Sequence, residues 1–94
     1  MIKSFKHKGL EKFFTTGCKK GIQAMHADKL SRMLSILDNL ESLDDLSSPT
    51  YHLHSLIGDL QGLWAITVQA NWRITFEYNK ESNDVYIVDY QDYH

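Results

Sequence analysis

Cysteine and proline are almost missing from this 94-residue sequence, which contains one of each. A lone Cys18 cannot form an internal disulfide, and a reducing cytoplasm is its natural setting. No apolar run approaches the roughly 18 residues that a membrane-spanning helix needs. The first six residues also lack the apolar stretch of a secretory signal peptide. The sequence therefore predicts a cytoplasmic protein that does not enter a membrane.

Motifs that bind metals or cofactors are also absent. There is no phosphate-binding glycine loop, no C-x-x-C pair and no H-E-x-x-H helix. His52 and His54 lie two apart on a predicted strand, so they would point the same way and could begin a zinc site. Such a site needs further ligands, which the neighbouring sequence does not supply. We therefore expect no metal and no cofactor.

The remaining composition is that of an ordinary globular protein, with 43% hydrophobic and 23% charged residues. This balance argues against disorder. A chain of this length has room for one hydrophobic core and not for two. We expect a single domain over residues 1–94.

Positive charge is concentrated near the N-terminus, although the formal net charge is −2. Glu11 is the only acidic residue among the first twenty. The same stretch contains Lys3, Lys6, Lys8, Lys12, Lys19 and Lys20. This asymmetry could present a basic face to phosphate groups. A solvated, lysine-rich surface is the alternative.

Two helices are predicted in the first half of the chain. Between residues 8 and 16, Leu10 and Phe13 recur at helical spacing, and Gly17 follows as a stop signal. A longer helix is predicted from about 23 to 40 because one apolar stripe runs along it. The stripe consists of Ala27, Leu30, Met33, Leu34, Leu37 and Leu40. Such a stripe is typical of a helix that packs on a core.

The second half of the chain alternates between apolar and polar residues, as strands do. Strands are predicted at 2–6, 51–56, 63–69, 72–78 and 85–90, with a loop and one helical turn within 41–50. Ala70-Asn71 is predicted to form a tight turn, because Asn tolerates a positive φ. The order predicts an α+β domain in which both helices pack on one face of an antiparallel sheet. Arg73 would then project from the open second face.

The closing residues, Asp92-Tyr93-His94, bring a carboxylate, a phenol and an imidazole together at the C-terminus. A frayed polar tail is the alternative reading, since chain ends are commonly disordered. Together with His54 and Arg73, these groups would supply an acid, a base and a fixed positive charge. Such a set suits attack by an RNA 2′-hydroxyl on the adjacent phosphate. That reaction requires no metal, because the nucleophile belongs to the substrate.

Four stretches of sequence form a recognisable combination. They are MIKSFKHKGL at 1–10, GDLQGLWAI at 58–66, NWRITF at 71–76 and the closing Asp92-Tyr93-His94. This combination resembles the HigB branch of the RelE/ParE toxins, and the resemblance runs nearly end to end. It implies a small α+β fold and a type II toxin that cleaves mRNA on the ribosome.

The resemblance also implies site residues and partners. His54, Asp92, Tyr93 and His94 match the catalytic positions of the family. Arg73 matches the arginine of its Trp-Arg-Ile strand, to which we assign phosphate binding or support of the site. We expect Lys6 and Lys8 to contribute to phosphate binding. The implied partners are mRNA, ribosomal RNA and a helix-turn-helix antitoxin, HigA, through which operator DNA is bound indirectly.

The glycine turn departs from the family pattern. Relatives usually read Lys-Gly-Asp-Arg there, whereas this chain reads Ile57-Gly58-Asp59-Leu60. The loss of two positive charges should weaken binding to RNA. Either the N-terminal lysines compensate, or the chain is a weak nuclease. A second hypothesis is therefore a binding protein without catalysis, which acts on a target such as a topoisomerase or only on its antitoxin.

Overall fold

The computed structural model describes residues 1–56 and 62–93. The turn predicted at 58–62 lies outside these ranges except for Gly62. Ile57, Leu60 and His94 also lie outside them. Within these ranges the helices are α1 (Lys8–Thr16) and α2 (Ala27–Asp38). The strands are β1 (His54–Ser55), β2 (Leu63–Gln69), β3 (Trp72–Asn79) and β4 (Asp84–Asp92). The strands pair antiparallel in the order β1-β2-β3-β4. Buried residues of both helices and the sheet form one hydrophobic cluster. The predicted α+β fold is confirmed.

Helix α1 has the bounds that the sequence predicts, and both of its ends are capped. The Nδ1 atom of His7 accepts a hydrogen bond from the N–H of Leu10 at 2.9 Å, which satisfies a free donor of the first turn. Gly17 has a φ of 81°, and its N–H donates to the carbonyl of Phe13 at 2.8 Å. This left-handed glycine cap ends the helix.

The second helix is confirmed, but it begins later than predicted. Residues Ala24–His26 form a 3₁₀ turn, and α2 follows from Ala27. The predicted stripe is core, since Leu30, Met33, Leu34 and Leu37 are all 0% exposed. The 3₁₀ turn occurs where the backbone of Gln23 and the side chain of His26 both bind Tyr90.

The strand predicted over 51–56 is mostly a different structure. Pro49–Tyr51 form a 3₁₀ turn, which Pro49 starts at its first position. His52 follows with a φ of 50°, a left-handed conformation that cannot continue a strand. Only His54–Ser55 pair with β2. The expectation that His52 and His54 share one strand face is therefore wrong.

The N-terminal segment runs beside β4 and extends the sheet. It pairs in parallel through two isolated bridges, Ile2 with Val85 and Phe5 with Val88. These bridges are the structural counterpart of the strand predicted over 2–6. The segment thus lies on the opposite edge of the sheet from β1.

A β-bulge in β4 keeps this edge in register with the core. Ile87 adopts a φ of 48° and is 40% exposed. Because the bulge adds a residue, Val85 and Val88 both face the core at 0% exposure although they are three apart. The hydroxyl of Ser4 accepts a hydrogen bond from the N–H of Ile87 at 2.8 Å, so the bulged donor is satisfied.

The turn between β2 and β3 is where the sequence predicts it. The positive φ falls on Ala70, at 51°, and not on Asn71. The pairing register also shifts by one residue just before the turn, between Thr67 and Gln69. This connection, Ala70-Asn71, is called the 70–71 turn below.

Two backbone segments cross without any side chain between them. A Cβ added to Gly21 would lie 2.5 Å from Cα of Gly9, at the start of α1. We expect Gly21→Ala to lower the free energy of unfolding by about 1–3 kcal/mol, because the two backbones must separate. Equilibrium urea unfolding measures this change. Gly17→Asn is the control: nothing lies within 4 Å of its Cβ position and Asn tolerates a left-handed φ. Equal losses in both variants would contradict the crossing as the cause.

Candidate active site

The sheet face opposite the helices carries two neighbouring rows of paired side chains. One row contains His54, Ala65, Thr75 and Asp89, and the next contains Thr67, Arg73 and Gln91. Directly paired residues point to the same face, so His54 and Arg73 share it. Arg73 thus projects from the face opposite the helices, as predicted. The backbones of His54 and Arg73 are separated by about 10 Å across the strands and about 7 Å along them, given ordinary strand spacing.

The centre of this face is closed rather than open. Ala65 and Thr75 are 0% and 1% exposed. The side-chain amide of Gln91 donates to Asp89 Oδ2 at 2.8 Å and to Thr75 Oγ1 at 3.2 Å. The polar groups that remain accessible therefore lie towards β1 and towards the 70–71 turn.

His54 is exposed, and its ring is held by the backbone carbonyl of His52. The Nδ1 atom lies 2.7 Å from the carbonyl oxygen of His52. A carbonyl only accepts hydrogen bonds, so Nδ1 carries the proton and the neutral ring keeps its lone pair on Nε2. The left-handed conformation of His52 accompanies this contact. His54 is thus in the tautomer that can accept a proton at an exposed nitrogen.

Arg73 is half-buried and directed towards the 70–71 turn. Its Nη1 atom donates to the carbonyl of Ala70 at 2.6 Å and to that of Trp72 at 3.2 Å. A guanidinium group has five N–H donors. Among residues 1–56 and 62–93, no hydrogen-bond partner occupies the Nε and Nη2 donors, which could bind an anion such as a phosphate.

Asp92 and Tyr93, the last two described residues, continue the sheet. Strand β4 extends through Asp92, which pairs with Trp72, whereas the prediction ended it at Tyr90. The N–H of Tyr93 then donates to the carbonyl of Asn71 at 2.8 Å. Arg73, Asp92 and Tyr93 are therefore all attached to the 70–71 turn or its flanks.

Strand alternation separates the carboxylate of Asp92 from the other groups. Gln91 faces the same side as Arg73, whereas Asp92 pairs with Trp72 and alternates to the helix side of the sheet. Asp92 is exposed there, near Tyr90. The Oη atom of Tyr93 is buried and has no hydrogen-bond partner among the described residues. Buried polar atoms are normally satisfied, so this phenol stands out among the described residues.

Lys6 and Lys8 lie at the other edge of the sheet from His54. The N–H of Lys6 donates to the carbonyl of Val88 at 2.9 Å, and Lys8 begins α1; both residues are exposed. Four strand spacings, about 19 Å, separate Lys6 from β1. The structure therefore attaches the backbones of Arg73, Asp92 and Tyr93 to one end of the sheet, with the carboxylate of Asp92 on the opposite face from Arg73. His54 lies on one side of this end and the lysines lie on the other.

Sequence reasoning missed a buried polar cluster on the helix side of the 70–71 turn. His26 is 3% exposed, with Nδ1 2.6 Å from Tyr90 Oη and Nε2 3.0 Å from Gln69 Oε1. The backbone N–H of Gln23 also donates to Tyr90 Oη at 3.4 Å. The Trp72 ring stacks on Tyr90 with centroids 4.5 Å apart. His26 lies one helical turn before Leu30, so the apolar stripe was the signal that could have revealed its burial.

The donors and acceptors of this cluster have one consistent assignment. Since Gln23 donates to Tyr90 Oη, the phenol can donate its own proton to His26 Nδ1. His26 Nε2–H then donates to the amide oxygen of Gln69. Burial raises the pKa of the Tyr90 phenol, the Gln23 N–H opposes this, and the charge of Asp92 adds to it. The phenol therefore stays protonated at neutral pH, and Asp92 lies near enough to affect it.

The described part of the chain contains neither a cluster of metal ligands nor a membrane-spanning helix. Within residues 1–56 and 62–93, no three His, Cys, Asp or Glu side chains are grouped so that they could hold a metal ion. In the same part of the chain, no helix is both long and apolar enough to cross a bilayer.

Similarity to known toxins covers nearly the whole chain. Residues 3–94 match the family described as the RelE-like toxin of type II toxin–antitoxin system HigB. The chain is also 46% identical to the Endoribonuclease HigB of Proteus vulgaris, over 100% of both sequences. The resemblance inferred from the sequence motifs is thereby confirmed, and this chain belongs to the HigB-like family of RelE-like toxins of type II toxin–antitoxin systems.

Proposed function

We propose that this chain is an endoribonuclease that cleaves mRNA on the ribosome. The observation that carries the proposal is the attachment of Arg73, Asp92 and Tyr93 to the 70–71 turn. The 46% identity to a protein named as an endoribonuclease supports it independently. Ribosome dependence is proposed from the resemblance to the HigB branch. The activity would be exerted in the cytoplasm, where mRNA is translated.

The proposed chemistry is transfer of the phosphate to the neighbouring 2′-oxygen without a metal. His54 takes the proton of the 2′-hydroxyl through Nε2, which its bond from Nδ1 to the His52 carbonyl leaves unprotonated. The 2′-oxygen attacks phosphorus, the bond to the 5′-oxygen breaks, and a 2′,3′-cyclic phosphate forms. His94 donates the proton that the leaving 5′-oxygen requires.

The remaining groups bind the charge that builds on the phosphate. Arg73 supplies a fixed positive charge, and the described part of the chain provides partners for its Nη1 only. Tyr93 supplies a phenol that is already out of bulk water. Asp92 does not bind that charge; its carboxylate, beside His94 in sequence, favours the protonated imidazole that His94 needs to act as the acid. Lys6 and Lys8, on the far edge, bind more distant phosphates of the ribosome-bound RNA.

Membership of the family makes an antitoxin the expected partner of this toxin. We propose that it is a HigA-like helix-turn-helix protein and that the complex contacts operator DNA only through it. The chain has a formal net charge of −2, which favours this indirect contact over direct binding to DNA.

A second candidate function is binding without cleavage. The uncharged Ile57 and Leu60, at positions that are basic in related toxins, favour it. Such a protein would arrest growth by occupying a target, and transcripts would stay intact. The two functions therefore differ in whether new RNA ends appear.

The first test is the mapping of transcript 5′ ends after brief induction, with His94→Ala as the inactive control. We expect new ends in phase with codons, and we expect them to disappear in the His94→Ala protein. Growth arrest with intact transcripts, from a folded and expressed protein, would contradict cleavage and support the second candidate.

The role of His54 is tested by His54→Ala in a translation reaction with purified ribosomes. We expect the cleavage rate to fall by roughly 10²-fold or more, because the general base is lost. The melting temperature should barely change, since the side chain is exposed. His52→Asn is the matched control, because Asn tolerates the left-handed backbone and keeps the carbonyl that holds His54. A full-rate His54→Ala protein would remove His54 from the mechanism.

A further inference from the structure

We propose that His26 is a positioning residue for the catalytic end of the chain, acting through Gln69, Tyr90 and Trp72. This inference rests on the proposed ribonuclease function. His26 is 3% exposed and belongs to the helix side of the sheet, so it does not touch substrate. Its effect must pass through the residues that it contacts.

The contacts of His26 reach both sides of the 70–71 turn. Gln69, which accepts from Nε2, directly precedes the turn, and Trp72, whose ring centroid lies 5.6 Å from that of His26, directly follows it. Between them, Ala70 supplies the carbonyl that binds Arg73. Asn71 supplies the carbonyl that binds the N–H of Tyr93. One buried imidazole thus fixes the flanks of the segment that orients two candidate site residues.

Tyr90 connects the same imidazole to the last strand. Its hydroxyl binds His26 Nδ1 at 2.6 Å, and its ring stacks on Trp72. Trp72 pairs with Asp92 across the strands. The positions of Asp92 and Tyr93 therefore depend on β3 and β4 being held together at this end.

Packing alone does not explain a histidine at this position. An apolar ring would fill the same space without requiring partners, whereas every polar atom of His26 and Tyr90 is matched to a specific donor or acceptor. A satisfied buried network fixes orientation as well as position. Reacting groups displaced by about 1 Å can lose about 10²-fold in rate. Orientation of the site is therefore the property that this network would change.

The test compares Tyr90→Phe and Gln69→Leu with the wild-type chain in single-turnover cleavage of ribosome-bound mRNA. Tyr90→Phe keeps the stacked ring and removes the hydroxyl, and Gln69→Leu removes the other partner of His26 at an exposed position. We expect kcat to fall by at least about 10-fold in each. We expect KM for ribosomes to stay within about twofold, because neither substitution removes a charge or a residue assigned to RNA binding. Measurements are made well below each variant's melting temperature.

Tyr78→Phe is the matched control, since its hydroxyl binds Asn83 at the opposite end of β3. We expect it to leave kcat unchanged. Variants that melt earlier but keep full kcat would show a purely structural role and overturn the inference. If the wild-type chain cleaves mRNA and both variants keep its kcat, this inference is overturned and the proposed function stands. Absence of cleavage by the wild-type chain would overturn the proposed function and this inference with it.

Discussion

The pairing of β4 with β3 is the constraint on which the candidate site depends. It continues to Asp92, and the N–H of Tyr93 then donates to the carbonyl of Asn71. The last residues of a chain usually fray because few contacts hold them. Here Asp92 and Tyr93 are bonded to the neighbouring strand and turn, so both residues acquire fixed positions. Acid–base chemistry needs such positions, because a proton moves only over a hydrogen-bond distance.

At the end of the sheet near the 70–71 turn, the two faces contribute to the candidate site in different ways. On the face opposite the helices, Arg73 is bound to the 70–71 turn, and we propose that its guanidinium binds phosphate. On the other, His26 and Tyr90 are buried, and burying polar groups costs free energy unless each is hydrogen-bonded. Their mutual bonds offset that cost and hold the strands together beneath the 70–71 turn. A stable core and an oriented site thus share the same residues.

Local patterns predicted most of the elements because they depend on nearby residues. The bounds of α1 follow from its apolar spacing and Gly17, and those of β2 follow from alternation. The left-handed backbone at His52 and the bulge at Ile87 were missed. Both interrupt the alternation of apolar and polar residues from which the strands were predicted. His26 was missed because only the folded chain brings its partners together. The catalytic assignments came from family resemblance, as composition alone indicated only a candidate acid–base cluster.

Amide hydrogen exchange at Tyr93, measured by NMR on the free toxin, tests most directly whether the chain end is fixed. We expect the Tyr93 N–H, which donates to the carbonyl of Asn71 at 2.8 Å, to exchange at a rate similar to those of the paired amides in β3 and β4. Exchange at the rate of an unstructured peptide would contradict it. In that case the closing residues would be a free tail, and any catalytic geometry would have to form only on the ribosome.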